Sequence, residues 1–362
     1  MSVSRQKFLT HQDAALFNKN VILNFIKHNA PVSRTDIWER LNLSRASVTM
    51  IIKQFIEAGL VCETGTGESR GGRKPSFLEF NANAGYILVF DWHSKTLFIT
   101  DLNSEVIYHR VLQLINTDSP EVFVSTLKNE IESVKKTQRF HEKRVLGLGL
   151  IMPGLLDASK GIVMLSTEQG WRDVNIKKMV ENATNIMTWL EADGNMHAYG
   201  ELLYGAGEGV KDLILFEIEE DGIGSALILN GELQRGSFNM IGEIGHIRLF
   251  ENGPMCSCGK AGCLQAFIKD SIKRDSYHEM VKYIGIGLSI LINILDPKVV
   301  ILSGKVIEKE DQHFIEEIRC AAMKNVLDGS TREVCIEKSI LGHQARVKGI
   351  SDLIFSMNFK EI

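Results

Sequence analysis

EIGHIRLFENGPMCSCGKAGCLQ, residues 243–265, places one histidine and three cysteines within eighteen positions, between glycines. Half of the six cysteines of the chain lie in this stretch. The opening MSVSRQKFLTHQDAALFNKN has no apolar core followed by a small-residue cleavage site, so it does not read as a signal peptide and a cytoplasmic location is expected. Thiols stay reduced there, and a tight cysteine cluster then points to a metal site in preference to a disulfide framework. Glu243 stands just before the cluster and poses the question of what an acidic residue does beside it.

Around this stretch lie 362 residues, enough for two or three domains, each with its own core. A hydrophobic share of 44%, a charged share of 24% and six prolines place the chain with soluble globular proteins and exclude a disordered or fibrous one. The longest mostly apolar run, IGIGLSILINIL from Ile284, is about a dozen residues, short of the roughly twenty that span a bilayer, so no membrane insertion is expected. Charge is uneven. Through Phe80 there are eleven Lys and Arg against seven Asp and Glu, a net of +4 on a chain whose total is −4. A basic head on an acidic body suggests a nucleic-acid contact at the N-terminal end.

The head supports that suggestion. NKNVILNFIKHN, SRTDIWERLN and SRASVTMIIKQFIEAG read as three helices, with Ser33 and Ser44 as N-caps and only Leu43, after Asn42, between the last two. So tight a turn is the helix-turn-helix arrangement, whose second helix enters the major groove. Ser44, Arg45, Ser47 and Thr49 are then expected to face DNA, while Val48, Ile51, Ile52 and Phe55 pack inward. LVCET and PSFLEF flank GTGESRGGRK, a wing whose Arg70, Arg73 and Lys74 would meet phosphates. The alternative is a small packing module with a solvated loop.

From Gly85 the pattern alternates strands and helices. YILVFDWHSKTLFITDLNSEVIYHRVLQL reads as three strands, followed by a helix near Ser119, the strands VLGLGLIM and IMTWLEAD, and a helix from Gly194. A second set starts at Asp212 with DLILFEIEE, GIGSALILNG and ELQRG. After the cysteines it continues with a helix from Tyr277 to Leu295, the strand VVILSG and a helix from Glu308. Three strands, helix, strand, helix therefore occur twice, which predicts two α/β lobes with a cleft between them.

Four motifs make the reading specific: GEIGH at 242–246, CSCGKAGC from Cys256, PGLLD from Pro153 and EADGNMHAYGE from Glu191. Together they resemble the ROK family, which groups sugar kinases with sugar-responsive repressors, and the likeness covers nearly the whole chain. The winged head is similar to the repressor branch of xylose and N-acetylglucosamine operon repressors. The implied fold is a winged helix-turn-helix over 1–82, followed by a two-lobed actin-like (ribonuclease H-like) α/β sugar kinase fold. Its first lobe would span 83–193 and its second 194–362, with a zinc-binding loop. In that family a histidine and three cysteines hold structural Zn2+, which transfers here to His246, Cys256, Cys258 and Cys263. Three thiolates and an imidazole suit a closed tetrahedral site.

The resemblance also implies a ligand set and its departures. Asp193 stands where the kinases place their general base, and Asp193, Glu243, His246 and Gln265 are the expected sugar contacts. Ala192 replaces a usual asparagine, and Gln265 a usual glutamate. The first phosphate turn, Asp-x-Gly-Gly-Thr in the kinases, is FDWHSKT here, and Trp92, His93 and Ser94 are expected to crowd the phosphate path. DGIGSA from Asp221 and LSGKV near Gly304 are each a glycine short. The expected activity is therefore not catalysis, with Asp193 a vestigial base. The chain reads as a repressor of carbohydrate-utilisation genes that binds an operator in double-stranded DNA as a homodimer or higher homo-oligomer and is relieved by a sugar or sugar derivative. The other readings are an ATP-dependent sugar kinase with a DNA-binding head, and a repressor controlled by a protein partner.

Overall fold

The computed structural model describes residues 11–66, 76–116, 118–220 and 222–359. The wing cations Arg70, Arg73 and Lys74, and Asp221 of the second glycine motif, lie outside the described residues.

The head follows its caps. Helix α1 (His11–Asn29) leads through a two-residue strand β1 (Val32–Ser33) into α2 (Arg34–Leu41). Ser33 Oγ accepts the Asp36 N–H and Asp36 returns to the Ser33 N–H, a reciprocal cap that starts α2. Asn42 ends the helix at φ 52°, a left-handed turn that asparagine tolerates. Ser44 then caps α3 (Arg45–Glu57), which buries Val48, Ile51, Ile52 and Phe55 as its spacing predicts. Strands β2 (Val61–Thr66) and β3 (Ser76–Phe80) form the wing, and β1 pairs with β3 to make a third strand that the sequence pattern does not announce.

In the first lobe β4 (Tyr86–Asp91), β5 (Thr96–Thr100) and β6 (Val106–Val111) form an antiparallel meander. Helix α4 (Pro120–Lys135), capped by Ser119, leads to β7 (Val145–Met152), parallel to β4. A small sheet of β8 (Leu155–Asp157), β9 (Ile162–Ser166) and β10 (Trp171–Val174) follows, then α5 (Ile176–Thr184) and β11 (Thr188–Ala192), parallel to β7. Helix α6 (Asp193–Tyr204) leads to the second lobe. There β12 (Leu213–Ile218), β13 (Ile223–Leu229) and β14 (Glu232–Gln234) repeat the meander. After α7 (Leu264–Lys273) and α8 (Tyr277–Leu295), β15 (Val299–Ser303) runs parallel to β12. Helices α9 (Lys305–Glu308) and α10 (Gln312–Met323), strand β16 (Cys335–Lys338) and helix α11 (Gln344–Phe359) complete the chain. The sheet orders β11-β7-β4-β5-β6 and β16-β15-β12-β13-β14 are the same topology, so the duplication read from the strand pattern holds, with β16 a fifth strand of the second sheet that the pattern does not announce.

Two features depart from expectation. Helix α8 has the length (19 residues) and mean hydropathy (1.3 over an 18-residue window) to cross a membrane, although its longest apolar run is shorter. Ile284, Leu288, Leu291 and Ile292 bury instead against α7 and α10 in the core of the second lobe. Helix α11 does not stay with the second lobe, as a continuous 194–362 segment implies. It returns to pack on β4, β7 and α6. Gly147 and Gly149 of β7 make that possible, because a Cβ at Gly149 would lie 2.6 Å from Ile350 Cδ1.

Through α11 the head is not a separate body. Ile22, Ile26, Ile52 and Phe55 of the head share one core with Ile87 and Val89 of β4 and with Val347, Ile350, Ile354 and Phe355 of α11. Phe80 of the wing meets Phe355 edge to face at 5.7 Å.

The α6–α11 crossing depends on two glycines: a Cβ at Gly200 would sit 1.9 Å from the Ala345 carbonyl oxygen, and one at Gly349 2.4 Å from that of Met196. Gly200→Ala is therefore expected to cost about 1–3 kcal/mol by overpacking, read as a lower urea midpoint at unchanged m-value. An unchanged midpoint would show that the helices separate freely.

Candidate ligand cleft, thiolate cluster and DNA-facing helix

The cleft is built at the C-terminal ends of parallel strands, where α/β sheets present ligand sites. Asp91 ends β4, Ala192 ends β11 and leads into Asp193, and Glu217 lies one residue before the end of β12. The cavity between the lobes measures about 330 Å³, with Asp193, Asn195, Glu217, Ser225, Asn239 and Glu243 among its polar lining. Of the residues expected to meet a sugar, Asp193 and Glu243 line it. Asn195, two positions beyond Asp193 in the same motif, is legible from that spacing, whereas Ser225, Asn239 and Glu217 carry no sequence signal of their own.

Electrostatics separate the carboxylates. Burial, and then the neighbouring charge of Glu217, push the Asp193 carboxyl up, while its Oδ1 accepts the Gly194 N–H at 2.8 Å. Burial also works to raise Glu217, but a hydrogen bond from His197 and the charge of Arg346 outweigh it and hold the group at about 2. His197 is fully buried, its Nδ1 3.2 Å from Glu217 Oε1 and its Nε2 3.2 Å from Ser339 Oγ. Ser339 in turn donates to Glu201 at 2.6 Å, so a chain of buried polar groups runs from the cleft along α6.

At the first phosphate turn the structure corrects one expectation. Trp92 does not enter the cleft: it is fully buried and packs against Phe90, Phe123 and Trp171 in the core of the first lobe. His93 and Ser94 do face outward. Asp91 spends its oxygens on that turn, accepting the His93 and Ser94 N–H groups at 3.3 Å and the Ser94 hydroxyl at 2.7 Å.

The thiolate cluster assembles as its spacing suggests. His246 Nδ1 lies 3.5 Å from Cys256 Sγ, Cys258 Sγ lies 3.7 Å from Cys263 Sγ, and one ligand atom from each residue falls within 4.8 Å of the others. Tetrahedral Zn–S bonds of about 2.3 Å imply sulfur separations of about 3.8 Å, so the donor set fits the ion in number, type and spacing. The other ring nitrogen of His246 faces Glu243 Oε2 at 3.8 Å. Neither His246 nor Gln265 lines the cleft. Gln265 is buried and donates from Nε2 to Cys256 Sγ at 3.0 Å and Ser257 Oγ at 3.1 Å, because this sulfur and hydroxyl offer its amide the acceptors that a sugar is expected to provide.

On α3, Arg45 and Thr49 are exposed, and the Arg45 guanidinium lies 4.3 Å from the centre of the Trp38 ring. Ser44 and Ser47 are turned to each other, with Ser44 Oγ accepting the Ser47 N–H and the two hydroxyls 2.8 Å apart. Met50, not among the expected contacts, is 56% exposed on the same face.

With this geometry in view, comparison with known proteins is decisive for the family. The model of the ROK family matches residues 93–271 and 266–356. The chain belongs to the ROK family. A winged helix-turn-helix DNA-binding model matches residues 19–61 of this ROK protein. The xylose repressor of Bacillus spizizenii is 28% identical over 366 residues, covering 93% of this chain and 94% of its own length. The DNA-binding transcriptional dual regulator NagC of Escherichia coli K12 is 25% identical over 369 residues, with 91% and 90% covered. Among solved structures, a ROK family transcriptional regulator described as a homologue of the E. coli MLC protein superposes with a TM-score of 0.80 at 22% identity, over 96% of this chain and 100% of that one. A ROK glucokinase from Streptomyces griseus, solved with glucose and AMPPNP, gives 0.60 at 22% identity over 74% and 99%. The fold of the body is thus common to regulators and kinases.

The shifted carboxylates make a signed prediction. Glu217 lies below its ordinary value of 4.5, so the stability it lends is complete above about pH 4.5 and is lost as pH falls towards about 2. Asp193 is shifted upward and works in the opposite sense: its contribution is present below its ordinary 3.8 and is lost as pH rises through its raised value. Glu217→Gln is expected to lower stability at neutral pH and to lose less than wild type on acidification, measured by urea unfolding across that range. Parallel acid limbs for the two proteins would contradict it.

Proposed function

We propose that this protein is a cytoplasmic DNA-binding repressor of carbohydrate-utilisation genes, that the cleft takes a sugar or sugar derivative, and that the sugar relieves DNA binding. The observation that carries the reading is the single core shared by the winged head and the first lobe, which ties a DNA-facing helix to a ligand cleft. The repressor names of full-length relatives agree with it. What supports binding without phosphoryl transfer is the turn after β4, where Asp91 already holds His93 and Ser94 in place of a cradle of free amides. Asp193, Asn195, Asn239, Ser225 and Glu243 offer carboxylate, amide and hydroxyl groups that suit sugar hydroxyls. With several carboxylates on the walls, an uncharged sugar is favoured over a phosphorylated one.

DNA is read by the exposed face of α3, with Arg45 presented by Trp38, and the wing residues Arg70, Arg73 and Lys74 supply phosphate contacts. A homodimer places two such helices on successive major grooves, about 34 Å apart. Zn2+ held by His246, Cys256, Cys258 and Cys263 pins a loop that has few apolar residues of its own. His246, fixed at one nitrogen, orients Glu243 with the other.

Arg45→Ala is expected to weaken binding to DNA upstream of the protein's own gene by about 1–3 kcal/mol and to relax its sequence preference, measured by fluorescence anisotropy over a salt series. No salt-sensitive binding by the wild type would contradict the reading. A sugar panel, with and without ATP and magnesium, is then added to the complex. Release by a sugar alone supports it, phosphorylated product revives the kinase, and indifference to every sugar points to a protein partner.

Chelation, or Cys258→Ser, is expected to lower Tm and to shrink the sugar-induced thermal shift together, with metal content followed by mass spectrometry. Metal loss with an intact sugar response would separate the loop from the cleft.

A further inference from the structure

The corner behind Asp193 and Glu217, at the wall of the cleft, already contains a cation. Arg346, in the first turn of α11, is 1% exposed. Its Nη2 donates to Glu217 Oε1 at 3.4 Å and lies 3.4 Å from His343 Nδ1, and its Nη1 is 3.9 Å from Asp91 Oδ1. Asp193 contributes a third carboxylate to the field around the guanidinium, and Glu219 a smaller fourth contribution. The arginine is poorly served by hydrogen bonds: Nε and Nη1 are buried and have no hydrogen-bond partner among the described residues. Burying a guanidinium on such terms costs stability unless a strong opposing field holds it there. Three carboxylates gathered at strand ends supply that field, and without a cation they would repel one another until one took up a proton.

Protein chemistry has two ways to satisfy such a corner. One is a diffusible hard cation, which takes carboxylate oxygens and in kinases brings the phosphates with it. The other is a tethered guanidinium. Arg346 reaches the corner from a helix that belongs to the first lobe, and Asp91 and Glu217 stand on opposite lobes. His343, stacked on His93 at 5.7 Å and also touching the guanidinium, adds a ring beside the same corner.

We propose that Arg346 is the resident counter-cation of this corner. It replaces a divalent metal ion and its phosphate chain, so that the cleft admits an uncharged ligand but neither Mg2+ nor a nucleotide. Arg346 is thus a specificity-determining residue that Asp91 and Glu217 hold from the two lobes. The inference rests on the reading of the cleft as a ligand site without phosphoryl transfer, and its test fails separately from that reading.

The test uses full-length protein with excess Zn2+ occupying the thiol cluster, and Mn2+ as an EPR-visible probe. Wild type and Arg346→Lys, which keep a positive charge, are expected to bind no Mn2+ in the cleft, with or without AMPPNP. Arg346→Gln is expected to bind it on the order of tenfold tighter or more, and the gain should vanish when Asp193→Asn is added. Asp193-dependent Mn2+ binding by the wild type overturns the proposal, as does a folded Arg346→Gln protein that gains none. If Arg346→Gln does not fold in buffer, recovery of its fold by millimolar Mn2+ supports the proposal and failure to recover overturns it. A sugar-induced thermal shift of the wild type without Mn2+ reads the ligand role of the cleft by itself.

Discussion

One helix is shared by everything this protein does. On α11, Arg346 lies behind the cleft wall against Glu217, while Asp352, six residues on and about 9 Å further along the axis, lies against the head. Asp352 accepts the Tyr204 hydroxyl at 2.7 Å and Lys27 Nζ at 3.4 Å. Lys27 comes from α1 of the head, is almost fully buried, and has its ammonium within 6 Å of the Phe80 and Phe355 ring centres. A buried lysine–aspartate pair is weak evidence for stability, since desolvation offsets most of the attraction. Its value is register: a slip of α11 against α1 would leave both charges unpaired in an apolar core. The position of the head is therefore specified by the same helix whose other face is held by cleft carboxylates.

The two kinds of contact that meet in this helix differ in character, and the difference locates the movable joint. Between head and first lobe the contact is a continuous apolar core, close-packed and resistant to deformation. Across the cleft, among the described residues, the ion pairs include Arg346 with Glu217 and Arg235 with Glu191. Polar groups at a cleft can exchange partners with a ligand or with water at little net cost, whereas opening a packed core exposes its whole apolar area. The head should therefore move as one body with the first lobe and α11, and a ligand should act by changing how the second lobe sits against that body. α6, which packs on both sheets, is the connection about which such a change is made. A coupling of about 1–3 kcal/mol is the usual scale for such a linkage, comparable to exchanging one or two of these polar contacts.

How much of this could be read from residues alone follows from the range of the interactions. Local chemistry was legible. Ser33, Ser44 and Ser119 cap helices where their spacing says they should, the duplicated strand pattern gives two sheets of one topology, and four metal-type donors within eighteen positions converge. Short elements without a period were not: β8, β9 and β10 have three to five residues each, too few for alternation to register. Residues whose partners compete were misjudged. Trp92 follows the last residue of β4 and could turn either way, and three aromatic neighbours draw it inward. The position of Gln265 after the cysteine run points it to a sugar, but Cys256 Sγ takes its amide at 3.0 Å. Arg346 was invisible, because the carboxylate it serves is 129 residues away and nothing near it in the chain signals a buried cation.

That blind spot bears on why one body can serve both catalysis and regulation. A kinase must exchange its nucleotide and metal at every turnover, so the charge of its cleft varies with what is bound. A repressor has to report one concentration. If the counter-cation is covalently part of the chain, the carboxylates at the strand ends keep a constant environment whatever the supply of ATP or Mg2+, and occupancy of the cleft depends on the sugar alone. A constant guanidinium on α11 has a second effect, since any displacement that a ligand imposes on Glu217 or Asp193 acts on a charge rigidly connected to the head. Replacing a diffusible cation by a side chain thus removes one dependence and creates another. On that proposal the cleft is indifferent to nucleotide, and its state is mechanically continuous, through the shared core, with α3 of the winged head.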